Sequence, residues 1–171
     1  AEASVVANAV LHHAMCHPEE SLGVIALNQP QADAITRELE KLCRKHPELD
    51  TYFERHTAEP FFVKNLESAQ GIERDRIYIS VGYARDKDGK LSLNFGPLNQ
   101  RKGANRLNVL ATRAKKYCEI FSSLEPDEPE FQRSNSRAIS LLNELLARAR
   151  DGASAQELGE RSLYPDPLRD L

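Results

Sequence analysis

A short and almost wholly apolar run, Leu22-Gly23-Val24-Ile25-Ala26-Leu27, is followed directly by Asn28-Gln29-Pro30-Gln31. An apolar run of this length is typical of a strand that is covered on both faces. Pro30 suits the first turn of a helix, because that turn has no intrahelical partner for the N–H that proline lacks. Apolar residues then recur at helical spacing, at Ile35, Leu39 and Leu42. The stretch therefore predicts a buried strand that leads into a helix ending near residue 45.

The same alternation of helices and strands continues through most of the chain. The predicted elements are helices at 2–16, 28–45, 105–114 and 134–150, and strands at 22–27, 61–63, 76–81 and 117–121. Turn residues at 86–90 predict a hairpin-like excursion between 81–83 and 91–95. This order predicts an α/β fold with a mostly parallel sheet and helices on both faces. We expect one domain over residues 1–150 and a tail or linker over residues 151–171.

The composition of the 171-residue chain is that of one ordinary globular domain, with 40% hydrophobic and 29% charged residues. No apolar run approaches the roughly 20 residues that a membrane span requires. The formal net charge of -3 argues against broad, nonspecific coating of nucleic acid. A globular, non-membrane protein is therefore expected.

The three cysteines, Cys16, Cys43 and Cys118, are far apart and form no Cys-x-x-Cys pair. Their spacing supports neither a disulfide framework nor a zinc site, and it favours a reducing, cytoplasmic compartment. Cys118 lies in a predicted apolar strand, where an inert buried thiol is expected. Three histidines, His12, His13 and His17, have no carboxylate or cysteine companions at ligand spacing. They are expected at the surface near a helix end, and no metal site is predicted.

Two stretches carry the functional signal. The first, residues 63–73, is a strand that breaks at Gln70-Gly71. The second is Asn105-Arg106-Leu107-Asn108-Val109-Leu110-Ala111-Thr112-Arg113-Ala114-Lys115-Lys116. In it an arginine stands between small residues at the end of an apolar run, a pattern that suits a guanidinium held on a firm element and directed at an anion. All charged residues from 100 to 116 are basic, and such a block can equally be a solvated face.

Ligands of parallel α/β sheets bind at the carboxyl ends of the strands. Residues 28–31, residues 65–73 and the region leading to Arg113 are candidates for loops of this kind. Their chemistry is therefore expected to converge on one edge of the sheet.

The order of these motifs resembles the second RecA-like motor domain of a superfamily 1 helicase, from the branch that contains the Upf-type DNA and RNA helicases. The resemblance rests on Glu-x-x-Gln-Gly-x-Glu at 67–73, followed by Arg-Leu-Asn-Val-x-x-Thr-Arg-Ala-Lys at 106–115. Residues 62–67 and 94–99 are also similar to large bacterial helicase-like proteins that often carry an added nuclease-like domain. The resemblance to the second motor domain covers roughly residues 21–150. The two motifs are specific evidence when they occur in this order, whereas either motif alone would be weak evidence.

The resemblance implies a role for each matching residue. Arg113 would be the catalytic arginine finger, which reaches the γ-phosphate of ATP and stabilises charge on the transferring group. Gln31, Gln70, Gly71 and Glu73 would bind the nucleotide, with Glu73 at its ribose. The residues expected at the nucleic-acid backbone are Asn65, Glu67 and Ser68. Thr112, Arg106, Asn108 and Lys115 would complete the motif around the arginine.

The resemblance also implies partners outside the chain. ATP with Mg²⁺ would be bound mainly by a first RecA-like domain of the same parent protein, and single-stranded DNA or RNA would be the track. The sequence contains no Gly-x-x-x-x-Gly-Lys-Ser/Thr and no Asp-Glu pair directly at the end of a strand. This chain alone is therefore predicted not to hydrolyse ATP. Two departures from the pattern are Asn65, where many relatives have Thr or Ser, and the apolar Ile72.

Plainer interpretations exist for each residue. Arg113 would then form a surface ion pair, Gln70-Gly71 would be a backbone turn with Gly at positive φ, and Gln31 would cap a helix. The whole domain would then be a non-motor nucleotide- or nucleic-acid-binding module that retains the helicase fold. The segment 86–89 is a hairpin turn rather than a calcium loop, because the other ligands of such a loop are missing.

Overall fold

A computed structural model of the protein describes residues 2–85, 87–91, 95–99, 107, 110 and 113–152. The described helices are α1 (Glu2–Cys16), α2 (Gln29–Cys43), α3 (Glu48–Arg55), α4 (Pro129–Gln132) and α5 (Arg137–Asp151), with a 3₁₀ turn at Gly96–Asn99. The described strands are β1 (Leu22–Ala26), β2 (Phe62–Asn65), β3 (Arg74–Ser80) and β4 (Ala114–Phe121). Leu107 and Leu110 are helical, and the rest of the helix predicted at 105–114 lies outside the described residues except Arg113 and Ala114.

The four strands form one sheet in the order β2-β1-β3-β4, and every pairing between them is parallel. Its register aligns Asn65, Ala26, Ser80 and Phe121 in one row at the carboxyl ends of the strands. The predicted α/β fold with a parallel sheet is confirmed, and its architecture is that of a RecA-like P-loop NTPase-type domain.

Side chains of the central strands alternate between two cores. Ile25, Ile77 and Ile79 belong to the core that is covered by α5 and the 3₁₀ turn. Val24 and Tyr78 belong to the other core, which is formed with α1, α2 and α3. A strand that is buried on both faces has no polar side to alternate with, which explains the apolar run at 22–27.

The sequence located most elements correctly and misplaced several ends. Helix α1 has the predicted bounds, and α2 begins after Asn28, whose side-chain oxygen accepts a hydrogen bond from the Gln31 N–H at 2.9 Å. Helices α3 and α4 were not predicted because each is short, at 8 and 4 residues. Of the predicted hairpin, the described residues show one antiparallel bridge, between Arg85 and Leu91. No helix within the described ranges is long and apolar enough to cross a membrane.

The expectation of a buried Cys118 is wrong. Strand β4 lies at an edge of the described sheet, and its residues from Lys115 to Cys118 are exposed. The pKa of the Cys118 thiol is raised to about 11, chiefly by the surrounding protein atoms and also by the charge of Glu119. The thiol is therefore protonated at neutral pH although it is accessible.

The expectation of a surface position for His13 is also wrong. Its side chain is only 1% exposed and lies among α1, α3 and the start of β1. The Nε2 atom lies 3.0 Å from the Glu20 carbonyl oxygen and 3.2 Å from the Tyr52 hydroxyl, which itself donates to that carbonyl at 2.7 Å. Nδ1 is buried and has no hydrogen-bond partner among the described residues. Burial lowers the pKa of His13 to about 4, so the imidazole is neutral in the folded protein.

We expect His13 to make the protein acid-sensitive above the range in which carboxylates titrate. The unfolded chain, with a histidine pKa near 6.5, binds this proton more readily than the folded protein, so stability declines as the pH falls from about 6.5 to 4. The loss at pH 4 is about 3 kcal/mol. It is measured as the difference in free energy of urea unfolding between wild type and His13→Gln across that pH range. The control, His46→Gln, should follow wild type; a pH dependence unchanged by His13→Gln would contradict the prediction.

Candidate functional site

Glu73 and Arg113 meet at the amino-terminal edge of the sheet. Glu73 directly precedes β3 and Arg113 directly precedes β4, two strands that pair from their first residues, Arg74 and Ala114. A guanidinium nitrogen of Arg113, Nη1, lies 3.7 Å from Oε1 of Glu73. The Glu73 side chain is 53% exposed and that of Arg113 is 20% exposed. The structure thus places a hydrogen-bond acceptor and a fixed cation side by side at an accessible position.

Lysines of the basic block that follow Arg113 are neutralised by carboxylates at the same edge. Lys115 forms an ion pair with Glu59, and Lys116 lies 3.3 Å from Glu20 and 3.5 Å from Asp75. Glu59 raises the pKa of Lys115 and Glu20 raises that of Lys116, and the hydrogen bond from Lys115 lowers the pKa of the Glu59 carboxyl. The described part of the block is therefore not a broad cationic surface.

Arg76 and Glu20 form the least exposed ion pair of this edge, with side chains 14% and 13% exposed. Arg76 also lies 3.7 Å from Glu119, and its guanidinium carbon lies 4.6 Å from the centroid of the Tyr117 ring. The hydrogen bond from Arg76 holds the pKa of the Glu20 carboxyl below its usual range. This pair ties the loop before β1 to β3.

A second group of predicted residues lies at the carboxyl-terminal edge. Gln31 Nε2 donates to Ser80 Oγ at 2.9 Å, and Ser80 Oγ donates to Glu2 Oε1 at 2.6 Å. Since the Ser80 hydrogen is used on the carboxylate, its oxygen accepts from Gln31, which fixes the orientation of the amide. Gly82, at φ +64, packs against Gln31, and a Cβ there would lie 2.5 Å from Gln31 Cγ. Gln31 is thus held in place by the end of β3.

The Glu2 carboxylate joins the carboxyl ends of β3 and β4. It accepts from the backbone N–H of Gly82 at 2.8 Å and from that of Ser123 at 3.2 Å, in addition to the Ser80 hydroxyl. The residues Glu2, Ser80, Gly82 and Ser123 were missed by the sequence analysis. Only the position of Ser80 at the end of an apolar run could have indicated its place at this edge.

The turn after β2 contains the remaining predicted residues. Asn65 Oδ1 accepts from the Ser68 N–H at 2.9 Å, and Asn65 Nδ2 donates to Gln29 Oε1 at 2.6 Å. Gln70 is exposed, as is Glu67. Gly71 has the expected positive φ, +77, and open space around it, so the backbone conformation alone favours glycine there.

The predicted convergence on one edge is wrong. Gln31 and Asn65 lie with Ser80 at the carboxyl ends of the strands, whereas Glu73 and Arg113 lie at the opposite edge. Strand β3 spans residues 74–80 between the two edges, a distance of roughly 20 Å at about 3.3 Å per residue. The reason is that Arg113 precedes β4, whereas Gln31 comes after β1 and Asn65 is the last residue of β2. Three residues of the arginine motif, Arg106, Asn108 and Thr112, lie outside the described residues.

The described residues contain no cluster of three or more histidine, cysteine or carboxylate side chains that could hold a metal ion. They offer instead an acceptor next to a cation at one edge and amide and hydroxyl groups at the other. Donors and acceptors of these kinds can bind the sugar and phosphate groups of a nucleotide or of a nucleic-acid strand.

The four-stranded parallel sheet with helices on both faces places the chain among α/β domains of the RecA-like P-loop NTPase type. A model of the AAA domain family matches residues 1–125, and the chain belongs to this family. It is 37% identical over 150 residues to the uncharacterized ATP-dependent helicase MG140 of Mycoplasma genitalium, an alignment that covers 85% of this chain and 13% of that protein. It is 38% identical over 132 residues to the MG140 homolog of Mycoplasma pneumoniae, with 75% of this chain and 11% of that protein covered. The chain thus spans a small part of the length of these relatives.

We expect the ion pair between Arg76 and Glu20, whose side chains are mostly covered, to stabilise the fold far more than an exposed pair does. Arg76→Met leaves the Glu20 carboxylate without its main partner and should lower the free energy of unfolding by about 2 kcal/mol. Lys41→Met breaks the Lys41–Glu38 pair, whose side chains are 63% and 32% exposed, and should change the free energy of unfolding far less. Urea unfolding at pH 7 measures both changes. Equal losses in the two variants would contradict this assignment.

Proposed function

We propose that the chain is the second RecA-like motor domain of an ATP-dependent superfamily 1 helicase or translocase, of the Upf-like branch, in which Arg113 is the arginine finger. The contact between Glu73 and Arg113 carries this proposal. The two residues are 40 positions apart in sequence, and the paired starts of β3 and β4 bring them together. The matching family and the names of the two relatives support a helicase context.

The residues at the amino edge suit one side of a nucleotide. In the proposed mechanism, the Arg113 guanidinium stabilises negative charge that develops on the transferring phosphoryl group. The Glu73 carboxylate accepts hydrogen bonds from ribose hydroxyls, since an ionised carboxylate can only accept. Gln70 and Gly71 lie in the preceding turn and complete the nucleotide-facing surface.

The phosphate cradle and magnesium ligands belong, in this proposal, to a first RecA-like domain of the parent protein. ATP with Mg²⁺ would then lie between the two domains. The chain by itself would be inactive, because the described residues supply no magnesium ligand cluster and the sequence has no P-loop.

The carboxyl edge is assigned to single-stranded DNA or RNA. Asn65 donates one amide hydrogen to Gln29, and the second hydrogen of the same nitrogen can serve a backbone phosphate. The Ser68 hydroxyl can donate in the same way. Glu67 is an acceptor and suits a sugar hydroxyl or a base amino group rather than a phosphate. Gln31 was expected as a nucleotide ligand. Because it lies at this edge, it is assigned to the single-stranded nucleic acid instead.

Residues 1–150 are proposed as the motor domain and residues 151–171 as a linker within the parent protein. Helix α5 ends at Asp151, and its Ala138, Ile139, Leu142 and Leu146 belong to the core. The domain therefore extends at least through this helix.

ATP hydrolysis by the parent protein, with and without single-stranded DNA or RNA, tests the proposal. Arg113→Ala should lower kcat by about 10³ or more, because the charge of the transferring group loses its stabilising cation. The affinity for ATP should stay within a few-fold of wild type, since the other domain supplies most contacts. Arg148→Ala, which removes a 78% exposed arginine of α5, is the control and should hydrolyse ATP like wild type. Strong turnover in Arg113→Ala would reject the arginine finger, and no turnover in wild type would favour a non-motor binding module.

A separate measurement tests the assignment of the carboxyl edge. Asn65→Asp keeps an oxygen for the Ser68 N–H but removes the amide donor and adds a negative charge. We expect the Kd for a single strand to rise about tenfold at low salt, the loss of one hydrogen bond to a charged phosphate. Asn8→Asp makes the same change on α1, where the amide donates to Ser4 O, and should leave the Kd unchanged. An unchanged Kd in Asn65→Asp would remove this residue from the nucleic-acid site.

A further inference from the structure

Arg74, the first residue of β3, is a buried cation that lies next to Glu73 in sequence. It is 8% exposed, and three of its side-chain nitrogens donate to backbone carbonyl oxygens. Nε and Nη2 lie 3.0 and 2.6 Å from the Pro60 oxygen, and Nη1 lies 2.6 Å from the Glu73 oxygen. Burying a cation is costly unless its donors are satisfied, and here backbone carbonyls accept from three of its nitrogens while the Glu59 carboxylate interacts with its charge. These contacts therefore hold the guanidinium in one position beside the Glu73 backbone.

Both residues of the proposed nucleotide site are tied to Arg74. Its backbone N–H donates to the Arg113 carbonyl oxygen at 3.2 Å, and its guanidinium holds the Glu73 carbonyl oxygen from the other side. The guanidinium thus fixes the backbone from which the Glu73 side chain extends, and through the 3.7 Å contact between Glu73 and Arg113 it also acts on Arg113.

The position of the guanidinium is fixed in turn by an aromatic platform. The Arg74 guanidinium carbon lies 5.0 Å from the centroid of the Phe62 ring, within the range of a cation–π contact. Phe62 pairs in register with Gly23 of β1, and a Cβ on Gly23 would lie 2.4 Å from Phe62 Cζ. The absence of a side chain at Gly23 lets the ring lie against the backbone of β1. Residues of three strands therefore determine where the Arg74 guanidinium lies.

We propose that Arg74 is a positioning residue for ATP hydrolysis, which aligns Glu73 for the ribose and Arg113 for the phosphoryl group. The proposal rests on the proposed function. It depends on the planar fork of arginine, which reaches the Pro60 and Glu73 carbonyls together, whereas the compact ammonium of lysine lacks this fixed geometry. Small displacements of groups that face a reacting centre reduce turnover strongly, by about a hundredfold for 1 Å.

The test uses Arg74→Lys in the parent protein. We expect kcat at saturating ATP to fall about tenfold or more, with a thermal unfolding midpoint close to that of wild type. The preference for ATP over 2′-deoxy-ATP in kcat/KM should fall to the value of Glu73→Gln, because the carboxylate is no longer aligned with the ribose. Combining Arg74→Lys with Arg113→Lys should lower kcat less than the product of the single effects. The reason is that both substitutions impair the same contribution, the alignment of the Arg113 guanidinium. Arg148→Lys, the same change at an exposed position, should match wild type in each assay.

The outcomes separate this inference from the proposed function. If wild type hydrolyses ATP and Arg113→Ala does not, but Arg74→Lys matches wild type, Arg74 has no positioning role. Arg74→Lys could also lower kcat while the preference for ATP over 2′-deoxy-ATP stays intact and the combined effect with Arg113→Lys equals the product of the single effects. That result would overturn the positioning role, since a merely structural residue behaves in this way. If wild type itself hydrolyses no ATP, the proposed function fails first.

A second variant covers the case in which Arg74→Lys does not fold. Phe62→Leu retains Arg74 and removes its aromatic platform, so it should reduce kcat and the sugar preference in the same direction by a smaller factor. Unchanged kinetics in a folded Phe62→Leu protein would then overturn the proposal.

Discussion

The parallel register between β3 and its two neighbours is the constraint on which the rest of this structure depends. Because β3 pairs with β1 on one side and β4 on the other, residues that precede the strands meet at one edge and residues that follow them meet at the other. Glu73 and Arg113 come together only through this pairing, and so do Gln31 and Ser80 at the opposite edge. A shift of one strand by a single residue would turn its side chains to the other face and dissolve both groups.

At the amino edge of the sheet, the carboxylate that lies beside Arg113 is the exposed Glu73. Carboxylates of the domain, Glu59, Glu20 and Asp75, pair with Lys115 and Lys116. The pair of Arg113 with Glu73 is longer, at 3.7 Å, and one of its members is half exposed. Exposed pairs of this kind contribute little stability and exchange partners at little cost. Lys115 and Lys116 are likewise 43% and 49% exposed, so among the described pairs of this edge the one between Arg76 and Glu20 has both side chains mostly covered.

The sequence predicted the fold through the apolar runs of its central strands, since a strand buried on both faces leaves a continuous apolar signature. It did not predict which loops lie together, because that depends on whether a residue precedes or follows its strand. His13 and Cys118 were misjudged for a related reason. A histidine is hidden by the later helix α3, and a cysteine in an apolar run becomes exposed when its strand forms an edge. Arg74 gave no local signal, because its partners Pro60 and Phe62 are distant in sequence.

The separation of the two edges limits how they can influence each other. Strand β3 connects them, and its residues Ile77, Ile79 and Ser80 are fully buried. Packed interiors deform little and transmit strain, so a local change at Arg74 displaces the strand as a whole rather than stretching it. Under the proposed function, a change of contacts at the amino edge therefore moves the carboxyl edge by moving the domain as a rigid body. In that proposal, coupling between the nucleotide and the nucleic-acid strand would depend on the interface with the other motor domain, where Arg113 and Glu73 would face the shared ATP.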